Sequence, residues 1–296
     1  MKRLLCVLTA LFAFGIITVQ PSALAQEKIR VLSDGPLRPA LMPIAEAFHR
    51  HSGHEIEYVF GPSPVIHKKV ADGETADVLI IQPDFVAELV KSGKVAPGEH
   101  SVIGRVGFAL AGRADAPAQD VSTVEAFTRV LLNADSLIFN NVASGNYFAT
   151  VLERLNISET VKPKVVRIPP GAVFERIKQG KGNDIGVGPI PLIVADKNLR
   201  LLGPLPAGLQ SHVVYAAAPM SNSPSPEAAK AFIAFLASSA AKSLFAANAV
   251  GPETEGRSST VELRITPNHA LQPTAASVPL AVPSSLRSSA AAEGER

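Results

Sequence analysis

The amino-acid sequence predicts an α/β protein with two lobes, each a mostly parallel sheet flanked by helices. Three observations favour this architecture. Short apolar runs alternate with segments whose apolar residues recur every three to four positions, the pattern of strands followed by helices. The chain has 296 residues, a length that suits about two compact units. Two long apolar runs, at residues 102–111 and 213–218, lie between the two sets of elements and are expected to be strands that cross between the lobes.

Local signals define the elements before residue 102. Five apolar residues at helical spacing predict one helical face over residues 37–51. Ser63, which is followed by proline, is expected to cap the next helix, and Asp84 is expected to cap the one after it. The predicted strands here are 28–32, 55–60 and 77–81, and the predicted helices are 37–51, 63–72 and 84–93.

The elements after residue 111 follow the same alternation. Ser122 and Glu125 have the spacing of a capping box that opens a helix ending near residue 132, and Ser225 is expected to cap a late helix. The other predicted strands are 136–139, 164–168 and 184–187, and the other predicted helices are 146–155, 172–179 and 240–249. This order assigns residues 26–105 plus 215–250 to one lobe and residues 106–214 to the other. One continuous doubly wound sheet is the alternative.

The two ends of the chain differ from the middle. Lys2 and Arg3 precede an apolar stretch over residues 4–17, and small residues flank Leu24 before Gln26. This is the layout of a cleavable signal peptide over residues 1–25, so we expect a periplasmic protein; the stretch is shorter than the ~20 residues of a membrane span. Residues 251–296 are rich in proline, serine and alanine and lack an apolar period, which predicts a disordered tail.

Composition argues against several classes of function. The net charge is +2, which provides no basic field for nucleic acid, and the chain has no tryptophan for base stacking. Its one cysteine, Cys6, lies in the predicted signal peptide, so the mature chain has no thiol chemistry. The sequence contains neither a phosphate-binding Walker loop nor a G-x-S-x-G elbow. His49, His51 and His54 indicate a solvated helix end rather than a metal centre. We therefore expect a monomer without cofactor, metal or nucleic-acid partner.

Several motifs resemble the periplasmic molybdate-binding proteins of ABC importers. The similar segments extend over nearly all of residues 28–250 and lie at 29–37, 60–63, 72–78, 142–145 and 183–186. The resemblance implies a type II periplasmic-binding-protein fold. It also implies that an interlobe cleft holds a small anion, such as molybdate, tungstate or a small carboxylate, for delivery to an ABC permease of the inner membrane.

Four turns indicate an anion site on physical grounds as well. Each precedes a predicted helix, where free N–H groups and the positive end of the helix dipole favour an anion. Each also follows a strand, and open α/β sheets bind ligands at the carboxyl ends of their strands. The alternative is that the serines are only helix caps. The candidate ligand-binding residues are Ser33, Asp34, Gly35, Ser63, Ser144, Gly145, Asn146 and Gly171.

Two departures from the molybdate-binding pattern leave an enzymatic alternative open. The family's first-turn serine falls on Pro36 and its later tyrosine falls on Pro189, so two donors for a tetrahedral oxyanion are missing. Some exported proteins similar to this family isomerise aconitate, a reaction that needs a base beside an acidic carbon. Asp34 and His67 are the candidate acid–base residues; a turn residue and a solvated helix residue are the alternatives for them.

Arginines offer a further way to hold a carboxylate. Arg105 and Arg113 belong to the first predicted crossing strand and its flanks, and a guanidinium binds a carboxylate through two parallel hydrogen bonds. Solvated surface charges are the alternative interpretation of both.

Overall fold

The computed structural model describes residues 28–98 and 100–252, so the predicted signal peptide and nearly all of the predicted tail lie outside the described residues. Strands and helices alternate along most of this part of the chain. In order, they are β1 (Lys28–Asp34), α1 (Arg38–Ser52), β2 (Glu55–Gly61), α2 (Ser63–Ala71), β3 (Val78–Ile81), α3 (Pro83–Lys91), β4 (Ser101–Arg113), α4 (Val124–Asn133), β5 (Ser136–Phe139), α5 (Ala143–Arg154), α6 (Ser158–Val161), β6 (Val165–Arg167), α7 (Val173–Gln179), β7 (Asp184–Pro189), α8 (Ile190–Ala195), β8 (Leu199–Pro204), β9 (His212–Pro219), α9 (Pro226–Leu236) and α10 (Ser239–Ala247).

Two groups of parallel strands are joined by two long antiparallel strands. β1 pairs in parallel with β2 and β3, and β5 pairs in parallel with β6 and β7. β4 and β9 pair antiparallel with each other between these groups, giving the order β2-β1-β3-β9-β4-β7-β5-β6, with β8 on β4. β4 pairs with β9 along its first half and with β7 and β8 along its second. The two strands therefore cross from one parallel group to the other, as the sequence predicts.

Each parallel group is buried on both faces. Val31 of β1 packs into one hydrophobic cluster beneath α1 and α9, while Leu32 packs into another beneath α2 and α3. Leu110 and Ala111 of β4 divide in the same way between two clusters in the second group. Successive side chains of a strand point to opposite faces, so a sheet covered on both sides needs near-continuous apolar strands. This explains why the strand signals are apolar runs rather than alternating patterns.

Three predicted caps differ from the observed ones. α2 already includes Ser63, and its N-cap is Pro62. α3 follows Gln82 rather than Asp84, and α4 is capped by Thr123, whose hydroxyl accepts the N–H of Ala126. The observed N-caps lie within two residues of the predicted ones. Ser63 instead contacts β1, and this contact belongs to the site described below.

A buried aspartate connects the start of α9 to β1. Asp77, 2% exposed, directly precedes β3. Its Oδ2 accepts the N–H of Arg30 at 2.8 Å, and its Oδ1 accepts the hydroxyl of Ser223 at 2.6 Å and the N–H of Ser225 at 3.0 Å. Ser225 is the N-cap of α9, as predicted, although its side chain makes no capping hydrogen bond. The aspartate that contributes to the molybdate-binding resemblance therefore has a structural role.

The last described residues remain part of the fold. Gly251, the first residue of the predicted tail, exchanges two backbone hydrogen bonds with Arg105, both 2.9 Å long. Among residues 28–98 and 100–252, no single helix is long and apolar enough to span a membrane. The bent pair α9 and α10 reaches that length and composition only when both are counted together.

Candidate functional site

A buried carboxylate lies at the carboxyl end of β1. Asp34 is the last residue of that strand and is 7% exposed. Its Oδ2 accepts the hydroxyl of Ser63 at 2.5 Å, and its Oδ1 accepts the N–H of Gly35 at 2.8 Å. The backbone N–H of Ser63 and the hydroxyl of Tyr215 donate to the same carboxylate. Asp34 thus gathers donors from the first turn of α2, from its own turn and from the crossing strand β9.

The surroundings of Asp34 set its proton affinity. Burial raises the pKa of this carboxyl above its ordinary value of 3.8, because leaving water disfavours the charged form. The hydrogen bonds from Ser63, Gly35 and Tyr215 stabilise the charged form and oppose that shift. Burial, together with the negative charge of Asp34, also raises the pKa of Tyr215, so the tyrosine stays a proton donor. The site therefore holds a carboxyl group that takes up a proton more readily than an exposed aspartate does.

This arrangement changes the interpretation of two predicted ligand-binding residues. Ser63 is 1% exposed, and the structure directs its hydroxyl to Asp34 rather than to the N–H groups of its own helix. Ser33 is fully buried, and its hydroxyl makes only a long bond of 3.3 Å to the backbone oxygen of Asp34. Pro36 has no N–H group. Of the donors predicted for a bound anion in this half of the protein, those of Ser63 and Gly35 therefore already bond an internal carboxylate.

The second parallel group repeats this arrangement with a neutral acceptor. Asn140 directly follows β5 and is 7% exposed. Its side-chain oxygen accepts the N–H groups of Val142 at 3.1 Å and Gly145 at 3.2 Å, and its side-chain nitrogen donates to the hydroxyl of Ser144 at 3.2 Å. Two of the residues predicted to bind a ligand, Ser144 and Gly145, thus meet an amide of the same chain at the start of α5.

The other two predicted residues in this group lie beside the same edge. Asn146 donates from its side chain to the backbone oxygen of Asn141 at 3.1 Å and accepts a 3.3 Å bond from Arg167. Gly171 lies in the turn before α7 with a φ of 87°, a left-handed conformation that favours glycine. Both positions are therefore at the carboxyl ends of β5 and β6, as the sequence predicts.

Helix α8 brings the two edges together. It begins directly after β7 and contacts both α1 and the 3-10 turn Gly35–Leu37 that follows Asp34. β7 is parallel to β5, so its end lies at the same edge as Asn140. An element that follows a strand of the second group therefore lies against the turn that follows Asp34 in the first group.

His67 lies apart from the Asp34 group. Its Nε2 is 3.1 Å from a carboxylate oxygen of Glu88, and its ring centroid is 5.1 Å from that of Phe85. Both partners belong to α3, so the contacts of His67 connect α2 to α3. The contacts of Asp34, in contrast, connect β1 to α2 and β9. The structure thus brings Asp34 and Ser63 together but gives His67 different partners.

The arginines on the crossing strand also have other contacts. Arg113 donates to Asp115 at 2.9 Å and to the backbone oxygen of Gly180. Arg105 lies near His212, and burial together with that positive charge lowers the pKa of His212. Within residues 28–98 and 100–252, no group of three or more histidine, cysteine or acidic residues is placed to hold a metal ion.

Sequence reasoning missed two contributors to this site. Asn140 follows a predicted strand, where asparagine is a common turn residue, so the sequence gives no reason to single it out. Only its spacing of five residues from Gly145 indicates that its side chain accepts the N–H of Gly145 at the start of α5. Tyr215 lies inside an apolar run, where an aromatic residue is expected to pack rather than donate. Its partner is remote in sequence, so no local pattern reveals the contact.

Replacing Ser63 with alanine is expected to raise the pKa of Asp34 further, because the lost bond stabilises the charged carboxylate. Carbon-13 NMR of labelled aspartate carboxyls across a pH series measures this shift. Ser243→Ala is the matched control, since Ser243 is exposed and bonds only within α10. An unchanged or lower Asp34 pKa in the Ser63 variant would show that the hydroxyl does not support the carboxylate.

The geometry limits the chemistry that this edge performs. One half presents a buried carboxyl group with raised proton affinity, and the other presents a neutral amide, both directly after parallel strands. A carboxyl group in this position is of the chemical type that exchanges a proton with a ligand. A fully deprotonated tetrahedral dianion brings no proton and meets a negative charge at Asp34.

Comparison with known proteins places this geometry in context. The aconitate isomerase of Pseudomonas sp. is 29% identical over 216 residues, which are 71% of this chain and 82% of that protein. The periplasmic molybdate-binding protein of Azotobacter vinelandii has a TM-score of 0.64 at 16% identity, covering 76% of this chain and 100% of that one. The sulfate-binding protein SubI of Mycobacterium tuberculosis has a TM-score of 0.62 at 19% identity, covering 77% and 87%.

These similarities confirm the predicted fold class and the resemblance to molybdate-binding proteins. At such low identity the two solved structures support the fold, a two-lobed type II periplasmic-binding-protein architecture, and not a ligand. The model of the family described as bacterial extracellular solute-binding protein matches residues 29–248. The chain therefore belongs to the bacterial extracellular solute-binding protein family.

Proposed function

We propose that this protein is exported and binds a small carboxylic acid between two sheet edges, the one that ends at Asp34 and the one that ends at Asn140. The observation that carries the proposal is the Asp34 carboxylate, which occupies the hydrogen-bond donors of Ser63 and Gly35. An acceptor at this position favours a ligand that brings a proton of its own, either on a hydroxyl or on an acidic carbon. A tetrahedral metal oxyanion has neither, and Pro36 and Pro189 remove two further donors.

Transport is the first use that this binding supports. Members of the family are extracellular solute-binding proteins. On this proposal, residues 1–25 direct export and are removed, and the mature protein delivers its ligand to an ABC permease of the inner membrane. An intact mass that begins at Gln26 would support this maturation, and a soluble product that retains residues 1–25 would contradict it.

Isomerisation of aconitate is a second candidate, favoured by the raised proton affinity of Asp34 and by the 29% identity to an aconitate isomerase. The unprotonated carboxylate of Asp34 would remove a proton from the methylene carbon of cis-aconitate. The electron pair left behind spreads over the neighbouring double bond and carboxylate. Return of the proton to the other end of the three-carbon unit moves the double bond and yields the isomer, so atoms and charge balance.

One pair of measurements separates these candidates. A thermal-shift screen of the mature protein should show stabilisation by citrate or an aconitate isomer, and a ligand at 100 times its Kd adds about 2.7 kcal/mol to the free energy of unfolding. Proton NMR of cis-aconitate with the protein then distinguishes the roles. Conversion to the trans isomer identifies an enzyme, and binding without conversion identifies a carrier. Stabilisation by molybdate, tungstate or sulfate alone would overturn the carboxylic-acid proposal.

A further inference from the structure

A guanidinium group without an acidic partner lies at the carboxyl edge of the first parallel group. Arg38 begins α1, directly after the 3-10 turn that follows Asp34. Its Cζ lies 4.7 Å from the ring centroid of Phe60, the residue of β2 that pairs with Ser33. Among the described residues, no carboxylate lies within ion-pair distance of this guanidinium and none accepts a hydrogen bond from it, so the ring of Phe60 is the group that holds it. Its N–H groups are therefore free for a ligand.

The aromatic support beneath Arg38 is itself held in place. The rings of Phe60 and Tyr58 stack with centroids 5.1 Å apart. The hydroxyl of Tyr58 donates to the backbone oxygen of Leu41, one turn further along α1, at 3.1 Å. Contact with an aromatic face holds a guanidinium in position while leaving its N–H edge exposed. The sequence thus builds a fixed cationic group beside the buried carboxylate of Asp34.

The second parallel group carries an equivalent pair. The Cζ of Arg167, the last residue of β6, lies 4.5 Å from the ring centroid of Phe139, the last residue of β5. One terminal nitrogen of Arg167 donates to the backbone oxygen of Asn140 at 3.1 Å and to the side chain of Asn146 at 3.3 Å. No described carboxylate lies within ion-pair distance of Arg167. Each half therefore presents one arginine, stacked on phenylalanine, beside its buried acceptor.

We propose that Arg38 and Arg167 bind two different carboxylate groups of one ligand, so that the site selects di- and tricarboxylic acids. This inference rests on the proposed function and assigns the charge recognition that Asp34 and Asn140 do not provide. The observation that connects the two halves is the contact of α8, which follows β7 of the second group, with α1 and the turn after Asp34. A ligand between them meets one cation from each half. A guanidinium binds a carboxylate through two parallel hydrogen bonds, and each arginine thus favours a carboxylate over a single-atom anion.

Calorimetry with a graded series of acids tests the proposal. The probes are tricarballylate, glutarate (the same chain without the middle carboxylate) and butyrate. Affinity should fall along this series for the wild-type protein. Arg38→Gln should weaken tricarballylate binding about 10- to 100-fold, the range for losing a charge-assisted bond, and should reduce butyrate binding much less. Arg50→Gln is the matched control, because Arg50 lies in the last turn of the same helix.

Arg167 is tested with a conservative substitution, because it also donates a hydrogen bond to the backbone oxygen of Asn140. Arg167→Lys keeps the charge but loses the paired donors, and it should weaken tricarballylate binding about tenfold. If Arg38→Gln binds tricarballylate within twofold of the wild-type and Arg50→Gln proteins, the assignment to Arg38 is overturned while the proposed function stands. If the wild-type protein binds none of the three acids, the proposed function and this inference both fall.

Discussion

If the protein isomerises aconitate, Asp34→Asn is expected to lower the rate of that reaction by about 10²- to 10⁴-fold, the contribution that a positioned acid–base group makes to catalysis. The amide is close in size to the carboxylate but takes up no proton from carbon. Ligand affinity should stay the same or improve, because the variant removes a negative charge from an anion site. Proton NMR of cis-aconitate measures turnover, and calorimetry measures binding.

The outcome of this substitution divides the two candidate functions. Asp72→Asn is the matched control, since Asp72 is exposed and pairs only with Lys68. An isomerase that keeps its full rate in Asp34→Asn would exclude Asp34 as the base. A wild-type protein that binds acids without converting them, with a variant that binds equally well or better, would support the carrier.

The difference in the free energy of unfolding between Asp34→Asn and wild type should depend on pH. The sign of this dependence follows from the raised pKa of Asp34 in the wild-type protein. Between the ordinary value of 3.8 and the raised one, the folded state binds more protons than the unfolded state, so stability falls as pH rises. The contribution of Asp34 is therefore fully present below pH 3.8 and is lost as pH rises through the raised pKa. The free energy of unfolding of Asp34→Asn, relative to wild type, should increase over that interval in urea titrations.

Gly145→Ala is expected to lower the free energy of unfolding by about 3 kcal/mol or more, the upper end for forcing atoms into a packed interior. A Cβ at this position would lie 1.8 Å from the backbone oxygen of Asn140. Backbone atoms cannot turn aside as a side chain does, so α5 must move away from β5. That shift would also break the bond from the Gly145 N–H to the side chain of Asn140.

Urea denaturation compares this variant with Gly208→Ala. A Cβ on Gly208 meets no atom within 4 Å, so the control should stay within about 1 kcal/mol of wild type. A similar stability of the two variants would mean that Asn140 and the start of α5 are not packed as described.

The sequence predicts the fold well because its signals are local. Residues 136–139 form β5, and the long apolar run at 102–111 lies within β4, since a strand buried on both faces must be apolar throughout. The prediction misses α8, whose six residues include a proline and provide too few turns for a helical period. It also starts α5 at Asn146 instead of Ala143, because glycine and serine obscure the first turn.

The site is less predictable because its contacts are not local. The positions of Asp34, Ser63, Ser144 and Gly145 at strand ends follow from the alternation of elements. The direction of each side chain does not: a serine before proline has the same signal whether it caps its helix or, like Ser63, donates to another strand. Arg38 shows most clearly that contacts between distant residues cannot be predicted from local patterns. Only the pairing register of β1 and β2 brings Phe60 next to its guanidinium group.

The internal acceptors Asp34 and Asn140 have a consequence for how the protein survives without its ligand. An anion site built only from helix starts has several buried hydrogen-bond donors that lack an acceptor when no anion is bound. Because unpaired buried donors are unfavourable, such a protein is stabilised by any anion that binds there. Here Asp34 and Asn140 supply acceptors from the chain itself. On the proposed function, a ligand would have to share or displace these existing bonds, so its net gain in hydrogen bonding would be smaller than in a site of unpaired donors. A gain of that size would favour exchange of the ligand over its long-term retention.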